Sequence, residues 1–297
     1  MLSIAIPVYN HDISQLLEHL ERELSEGDII SEIIIMDDSS TDISLKSNNK
    51  NRAKQYLYLE NTTNLGRVAT RLALAKEAHY DWILFMDADV IPLKSDFISS
   101  ILKEIDQEQD LIFGGITYTE ELNHPEHSLR WLYGKKSESK SCIERKNLPY
   151  ASVVSQHFCI RKSVAVSIFS EMKIKSYGMD ILFTYLLEKH QVNVVHINNP
   201  TVHLGLEKNE EYIEKTMKGL ETTYHLERQG LIPINYRPVQ QKSVTLSKLY
   251  VTSLFLAVFS VFIKSIESNL KSAKPNLILF RLYKLYHFIK IKRAKYS

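Results

Sequence analysis

The 297-residue chain carries two cysteines, Cys142 and Cys159, and no Cys-x-x-Cys pair. Two thiols cannot build a disulfide framework, so the body is expected to keep both reduced, in a cytoplasm. The N-terminus, Met-Leu-Ser-Ile-Ala-Ile-Pro-Val-Tyr-Asn, has no basic region followed by an apolar run, and no secretory signal is expected there. There is no internal repeat and no low-complexity tract. Acidic residues are almost missing from residue 241 onward, where eleven Lys/Arg face one acid, Glu267. That segment therefore carries +10, and the rest of the chain carries −8 of the net +2. An acidic body argues against a nucleic-acid binder, and a basic, aromatic tail suits an anionic surface.

What is present fits a folded globular chain. Apolar residues make up 44% and charged residues 24%, the mix of a chain that buries a sizeable core. Residues 4–8, 32–36, 56–59 and 82–86 are short β-branched or apolar runs, separated by helical spacing at 14–24 and 66–78. Such alternation predicts parallel βαβ units. Further on, 111–117 reads as a strand broken by Gly114-Gly115, 153–160 and 192–197 as strands, 180–189 as a helix, and 134–150 as loop. Each early strand ends in polar residues: Tyr9-Asn10, Asp37-Asp38 and Asp87-Ala88-Asp89. In an open parallel sheet ligands bind beyond the carboxyl ends of the strands, so these side chains are expected to converge. From 246 to 263 only Lys248 is charged, at the lower margin of a membrane span of ~20 residues. The interleaved Tyr283, Tyr286, Phe288, Lys284, Lys290, Lys292, Arg293 and Lys295 that follow suit a segment lying on a membrane.

Six segments together resemble the family 2 glycosyltransferases of the GT-A fold, the bacterial kind that build surface polysaccharides. They are Ile-Ala-Ile-Pro-Val-Tyr-Asn at 4–10, Ile-Met-Asp-Asp-Ser-Ser-Thr-Asp at 35–42, Asn-Leu-Gly-Arg at 64–67 with Arg71, Leu-Phe-Met-Asp-Ala-Asp at 84–89, Tyr-Gly-Met-Asp at 177–180 and Val-His-Leu-Gly at 202–205. The resemblance covers about residues 1–210. It implies an α/β, Rossmann-like fold with a mostly parallel central sheet flanked by helices, and a helical, partly apolar, basic C-terminal tail. It divides the chain into a glycosyltransferase domain at 1–240, with a nucleotide-binding half at 1–110 and an acceptor half at 111–240, and a membrane-associating tail at 241–297.

The same resemblance assigns roles. Asp89 and His203 hold a divalent metal, Mn²⁺ or Mg²⁺, for which carboxylate and imidazole are suitable ligands. Asp87 serves the ribose or the metal's outer shell. Asp37 accepts a ring N–H of the base, with Asp38 nearby, while Pro7 and Tyr9 pack against that base. Gly66 and Arg71 open a helix at the nucleotide, where the family's usual Arg-Asn has become Arg71-Leu72. Asp180 is the base that takes a proton from the acceptor hydroxyl in an inverting transfer. Relatives show Tyr-Gly-X-Glu-Asp at that point, and this chain is one residue shorter, without the Glu. Each residue also has a structural alternative. Ser39, Ser40, Asp42 and Asp180 suit helix N-caps, Arg67 a solvated surface, and Tyr9 a half-buried aromatic.

The implied activity is metal-dependent transfer from a nucleotide-diphosphate sugar, whose base the N–H argument narrows to uracil or thymine with a UDP-linked donor expected, to a glycan or lipid-linked acceptor at the inner face of the cell membrane. Two other functions compete. A nucleotidyltransferase of related fold would carry a Gly-rich, basic loop after the first strand, where this chain has Tyr-Asn-His-Asp-Ile-Ser. A non-catalytic relative that binds a glycan or a partner at the membrane would fit the shortened 177–180 motif, and is opposed by the intact Asp87, Asp89 and His203.

Overall fold

The structure is a computed structural model that describes residues 1–27, 29–106, 108–122 and 124–294; Lys295 of the basic tail lies outside them. The apolar runs become strands where predicted: β1 (Leu2–Val8), β2 (Ser31–Asp37), β3 (Leu57–Glu60) and β4 (Trp82–Met86), linked by α1 (Ser14–Glu26), α2 (Ile43–Arg52) and α3 (Arg67–Glu77). Then come β5 (Val90–Pro92), α4 (Phe97–Lys103), β6 (Leu111–Phe113) and β7 (Ile116–Thr117). The middle of the chain holds α5 (Ser128–Tyr133), a π turn at Gly134–Glu138, α6 (Cys142–Lys146), β8 (His157–Arg161), α7 (Lys162–Glu171), α8 (Asp180–Lys189), β9 (Val194–His196) and β10 (Thr201–His203). It ends in α9 (Asn209–Arg228), α10 (Pro238–Lys248), α11 (Thr252–Lys271) and α12 (Leu277–Ala294).

Seven strands form one sheet in the order β3-β2-β1-β4-β8-β6-β9. Pairings β1–β2, β1–β4, β2–β3 and β6–β9 are parallel, and β8 runs antiparallel to both β4 and β6. The sheet is thus mostly parallel with one reversed strand, which periodicity alone could not reveal. A second sheet, β5-β10-β7, has three short strands. Gly114-Gly115 lies where the chain leaves the large sheet for the small one. The strand order reverses between β1 and β4, which makes a switch point, and the β1–β4 ladder stops at Ala5↔Phe85. Pro7, which has no N–H to give, sits in β1 beyond the end of that ladder, where the sheet opens.

The chain falls into two compact units. The first comprises residues 1–119, 137–175 and 183–205 and contains both sheets. Its core joins Ile4, Ile6 and Val8 of β1, Leu16, Leu17 and Leu20 of α1, and Leu84 and Met86 of β4. Buried Glu23, on the same face of α1, accepts the N–H groups of Ile98 and Ser99 at 2.9 and 2.8 Å and so satisfies the free N-terminus of α4. Phe158 packs on Phe85 and Phe183 at 5.2 and 5.1 Å between ring centres.

The second unit, residues 120–136, 176–182 and 206–297, is helical and aromatic. Phe280 of α12 meets Tyr133 at 5.8 Å and Tyr212 of α9 at 5.7 Å, and Phe259 of α11 meets Tyr286 of α12 at 5.2 Å. Asn209 ties the unit's pieces together, accepting the Leu129 N–H at 2.8 Å and donating to the Lys271 and Ser272 carbonyls.

Three stretches differ from expectation. Part of 134–150 is helical, because Ser141 and Glu144 form a capping box that starts α6. The strand expected at 153–160 starts only at His157, since the buried residues before it belong to turns. The apolar run 246–263 is not one helix: Tyr250 takes a φ of 57° and separates α10 from α11.

Candidate active site

The strand-end side chains of the first unit do gather. Two loops leave the sheet side by side after β1 and β2, and Asn10 fastens them. Its side-chain oxygen accepts the N–H groups of Thr41 and Asp42 at 2.8 and 3.1 Å, and its amide donates to Thr41 Oγ1 at 2.9 Å. Tyr9 beside it is exposed. Asp42 N-caps α2, accepting from the Leu45 N–H at 2.9 Å, as its residue type suggests.

Asp37 ends β2 and is fully buried. Its Oδ1 accepts the Ser40 N–H at 2.8 Å and lies 3.7 Å from Lys46 Nζ, and Tyr58 Oη lies 3.5 Å from Oδ2. A burial-weakened Tyr58 hydroxyl, its pKa pushed up, stays a protonated donor toward this carboxylate. Asp38 turns the other way. Its two oxygens accept from the backbone of Leu65 and Gly66, both at 2.8 Å, and from Asn61 Nδ2 at 2.8 Å. Asp38 therefore builds the turn that presents Gly66 at the start of α3.

Asp87 and Arg71 form a buried pair. Arg71 Nη2 donates to Asp87 Oδ1 at 2.6 Å and to the Ser155 carbonyl, and its guanidinium lies 5.6 Å from the centre of the Phe158 ring. Arg67, one turn earlier on α3, is more than half exposed, with Nη1 3.6 Å from Asp87 Oδ2. The i, i+4 spacing thus puts two arginines on one carboxylate.

Asp89 meets His203 across a sequence gap of 114 residues. The small sheet closes that gap. His203 of β10 stands opposite Val90 of β5, the Leu204 N–H donates to the Asp89 carbonyl at 2.9 Å, and His203 Nε2 lies 3.3 Å from Asp89 Oδ2. Burial works against the Asp89 charge, but His203 and Arg67 outweigh it and hold the carboxyl below the usual carboxylate range. Tyr118 packs edge-on to the His203 ring at 5.6 Å and donates its hydroxyl to Glu138.

Gly205 completes this corner and escaped the reading of single residues, although it closes the Val-His-Leu-Gly motif. A Cβ there would stand 2.4 Å from Asp89 Oδ2 and 2.9 Å from its Cβ. Only glycine lets Asp89 lie against this backbone. Asp89 Oδ1 and His203 Nδ1 are buried and have no hydrogen-bond partner among the described residues. A carboxylate oxygen left bare in this way, beside a second ligand-type side chain, fits a cation. Among the described residues no three His, Cys, Asp or Glu side chains cluster as metal ligands. Mn²⁺ or Mg²⁺ on this pair would take its remaining ligands from water or a bound molecule.

A polar layer unforeseen in the sequence backs the site. His157 is fully buried, with Thr201 Oγ1 2.9 Å from its Nδ1. Burial, then the Arg145 charge, push its pKa down to about 3, so the ring is neutral. Buried Arg145 donates to the carbonyls of Lys140 at 2.6 Å and Gly114 at 3.0 Å and lies over Phe113. Burial pushes the Cys159 thiol up, so it is inert.

Residues 3–168 match the family described as Glycosyl transferase family 2. The chain belongs to that family. No match was found among curated proteins, and three solved structures that the chain resembles are distant in sequence. A mannosyltransferase from Pyrobaculum calidifontis, in complex with GDP-Man and Mn²⁺, is 12% identical with a TM-score of 0.56, over 99% of this chain and 86% of that one. Mannosyl-3-phosphoglycerate synthase from Rubrobacter xylanophilus is 12% identical with a TM-score of 0.52, over 80% and 77%. Glucosyl-3-phosphoglycerate synthase from Mycobacterium tuberculosis, in complex with Mg²⁺ and UDP, is 14% identical with a TM-score of 0.51, over 77% and 79%. At such identities they establish the fold, which is GT-A.

Asp180 of this glycosyltransferase belongs to the second unit. It is exposed and opens α8. Gly178, two residues earlier, has a φ of 82°, and a Cβ there would stand 3.0 Å from the Gly219 Cα of α9. Ser176 and Thr222 bond through their hydroxyls at 2.5 Å. Gly178 and Ser176 thus hold the Tyr-Gly-Met-Asp segment against α9.

Proposed function

We propose that this family 2 enzyme is a metal-dependent, inverting glycosyltransferase using a nucleotide-diphosphate sugar, UDP-linked, and a glycan or lipid-linked acceptor in surface polysaccharide synthesis. The observation that carries the reading is the Asp89–His203 pair, with a bare carboxylate oxygen and Gly205 in contact beneath it. Mn²⁺ or Mg²⁺, held there by Asp89 and His203, would neutralise the diphosphate leaving group. The Mn²⁺ and Mg²⁺ complexes of the similar mannosyl- and glucosyltransferases support that choice of ion.

The chain's own residues supply the rest. Asp37, held by Ser40 and Tyr58, accepts the ring N–H of the base, while exposed Tyr9 and Pro7 flank it. Asp38 fixes the turn that offers Gly66 to the nucleotide. Arg71 holds Asp87 toward the ribose. Asp180 takes the proton of the acceptor hydroxyl as its oxygen attacks C1 of the sugar. The bond from C1 to the diphosphate oxygen breaks on the opposite face, so the configuration inverts and the nucleoside diphosphate leaves with the electron pair. Residues 1–240 act as the catalytic domain. Residues 241–297 keep the enzyme on the cytoplasmic face of the cell membrane, near a lipid-borne acceptor.

Incubation of the purified protein with UDP-, GDP- and dTDP-sugars, Mn²⁺ and a lipid-linked glycan extract tests this. Release of UDP with a β-configured product from an α-linked donor is the expected result. Release of another nucleotide would overturn the choice of donor, and a retained configuration would remove Asp180 from its role.

A further inference from the structure

One surface of the second unit is built for something other than water. The turn between α10 and α11 and the outward side of α11 expose large apolar side chains in register. Tyr250 is 94% exposed, Leu254 65%, Val261 77% and Phe262 58%. Leu249, Val258 and Ile278 are exposed beside them. Positions 254, 258, 261 and 262 share one side of α11, and Tyr250 precedes them at the turn. A contiguous apolar patch of this kind on a folded surface marks an interaction site. Tyr250 is held outward at the turn by its positive φ of 57°, with its ring in solvent and a polar tip. That is the side chain favoured where hydrocarbon meets water.

Charge settles what kind of occupant fits. Lys242, Lys248, Lys264 and Lys274, from the same stretch of chain, are exposed as well. None of them makes an ion pair among the described residues. The single acid of the segment, Glu267, accepts the Tyr283 hydroxyl at 3.0 Å and is taken up by α12. Burial and Glu267 push the Tyr283 pKa up, so that hydroxyl stays a donor. A second copy of this chain would face the same lysines with its own, a like-charge contact. An anionic lipid surface complements both the stripe and these lysines.

Helix α11 is also long and apolar enough to cross a membrane by length and composition. Its packing opposes that. Phe259, Ile266 and Leu270 on its other side are buried in the core shared with α9 and α12. Lys264 and Glu267 interrupt the apolar run of α11, leaving its uncharged part at 252–263, about 18 Å of rise against a hydrocarbon core of about 30 Å.

We propose that the stripe Tyr250-Leu254-Val258-Val261-Phe262 is a lipid-docking surface on which α11 lies in the plane of an anionic bilayer, with the exposed lysines at the headgroups. This deepens the reading of a lipid-borne acceptor. Flotation of the full-length protein with phosphatidylcholine vesicles, with and without phosphatidylglycerol, tests it alongside the nucleotide- and Mn²⁺-dependent melting shift of the same samples. The expected result is co-flotation with the anionic vesicles alone, release by high salt, and at least about tenfold weaker partitioning of Leu254→Glu/Val261→Glu with an unchanged melting temperature. Vesicle binding retained by that variant overturns the proposal. So does binding that resists salt and alkaline extraction, which would mean a span, or a wild-type dimer that the variant turns into a monomer, which would mean a second copy. Flotation without a nucleotide shift would instead sink the donor-site reading and leave the docking surface standing.

Discussion

The two units of this chain are held together by different means. In the first, the chemistry-bearing side chains sit at strand ends and each is fixed by named polar contacts: Asp38 by three N–H donors, Asp87 by Arg71, Asp89 by His203 and the Gly205 backbone. In the second, helices stack through Tyr133, Tyr212, Phe259, Phe280 and Tyr286, and polar ties such as those of Asn209, Glu207 and Glu227 join them. A polar site specifies its residues one by one, because each lost partner strands a buried group. An aromatic stack specifies only volume and pattern, because apolar cores tolerate exchange. Substitutions should therefore act sharply and locally in the first unit and diffusely in the second, apart from the exposed motif that opens α8.

The largest effect tests that exception. Asp180→Asn should lower turnover by roughly 10²–10⁴-fold, the usual worth of a general base, with nucleotide binding intact. Steady-state kinetics on the acceptor read this, and an unimpaired Asp180→Asn would remove Asp180 from the chemistry. Gly205→Ala comes next. The added methyl displaces Asp89, so metal-dependent turnover should fall by about 10²–10³-fold, the scale of losing one preorganised electrostatic contact. The melting temperature without ligand should barely move, since Asp89 can swing outward. A variant as active as wild type would show that Asp89 needs no such support.

Arg71→Met separates holding from binding. It leaves Asp87 largely buried with only the distant Arg67, which costs roughly 3–5 kcal/mol when a buried pair loses one partner. Denaturant unfolding checks this, and a loss below 1 kcal/mol, within the range of an exposed ion pair, would contradict the buried-pair assignment. The smallest effect comes from the polar layer. The folded state keeps His157 neutral down to about 3, while the unfolded chain protonates it below its ordinary 6.5. The stability that comes from this group is complete above 6.5 and drains away as pH falls toward 3. The loss is roughly 2 kcal/mol between pH 6.5 and 5. Melts of wild type and His157→Gln should diverge at low pH in that sense, and parallel curves would refute the buried neutral imidazole.

The first unit was largely readable from sequence because its rules are local. A β-branched run followed by aspartates, as at 35–38 and 84–89, is a strand and its end, and such segments together with the other motifs pointed to the fold and the family. His203 could be paired with Asp89 only through the resemblance, because the bridge between them is a three-stranded sheet whose strands are two or three residues long. Runs that short carry no periodicity. Arg145 and His157 were invisible for another reason: an arginine held by carbonyls and a histidine between aromatics leave no spacing signature. The antiparallel turn of β8 hides likewise, since alternation has no direction. In the second unit Tyr250 broke an apolar run that composition alone offers as continuous, and the length of α9 lacked the apolar regularity that would have announced it.

The central claim, that Asp89 and His203 form half a metal site finished by a nucleotide, is tested most directly by melting wild type and Asp89→Ala with Mn²⁺ alone, with UDP alone and with both. A ligand stabilises by RT ln(1 + [L]/Kd), and two ligands that complete each other's site stabilise more together than separately. The account predicts little shift from either one alone, a clear rise from the pair, and no rise in Asp89→Ala. A full shift with UDP alone, or a joint shift that survives in Asp89→Ala, would contradict it.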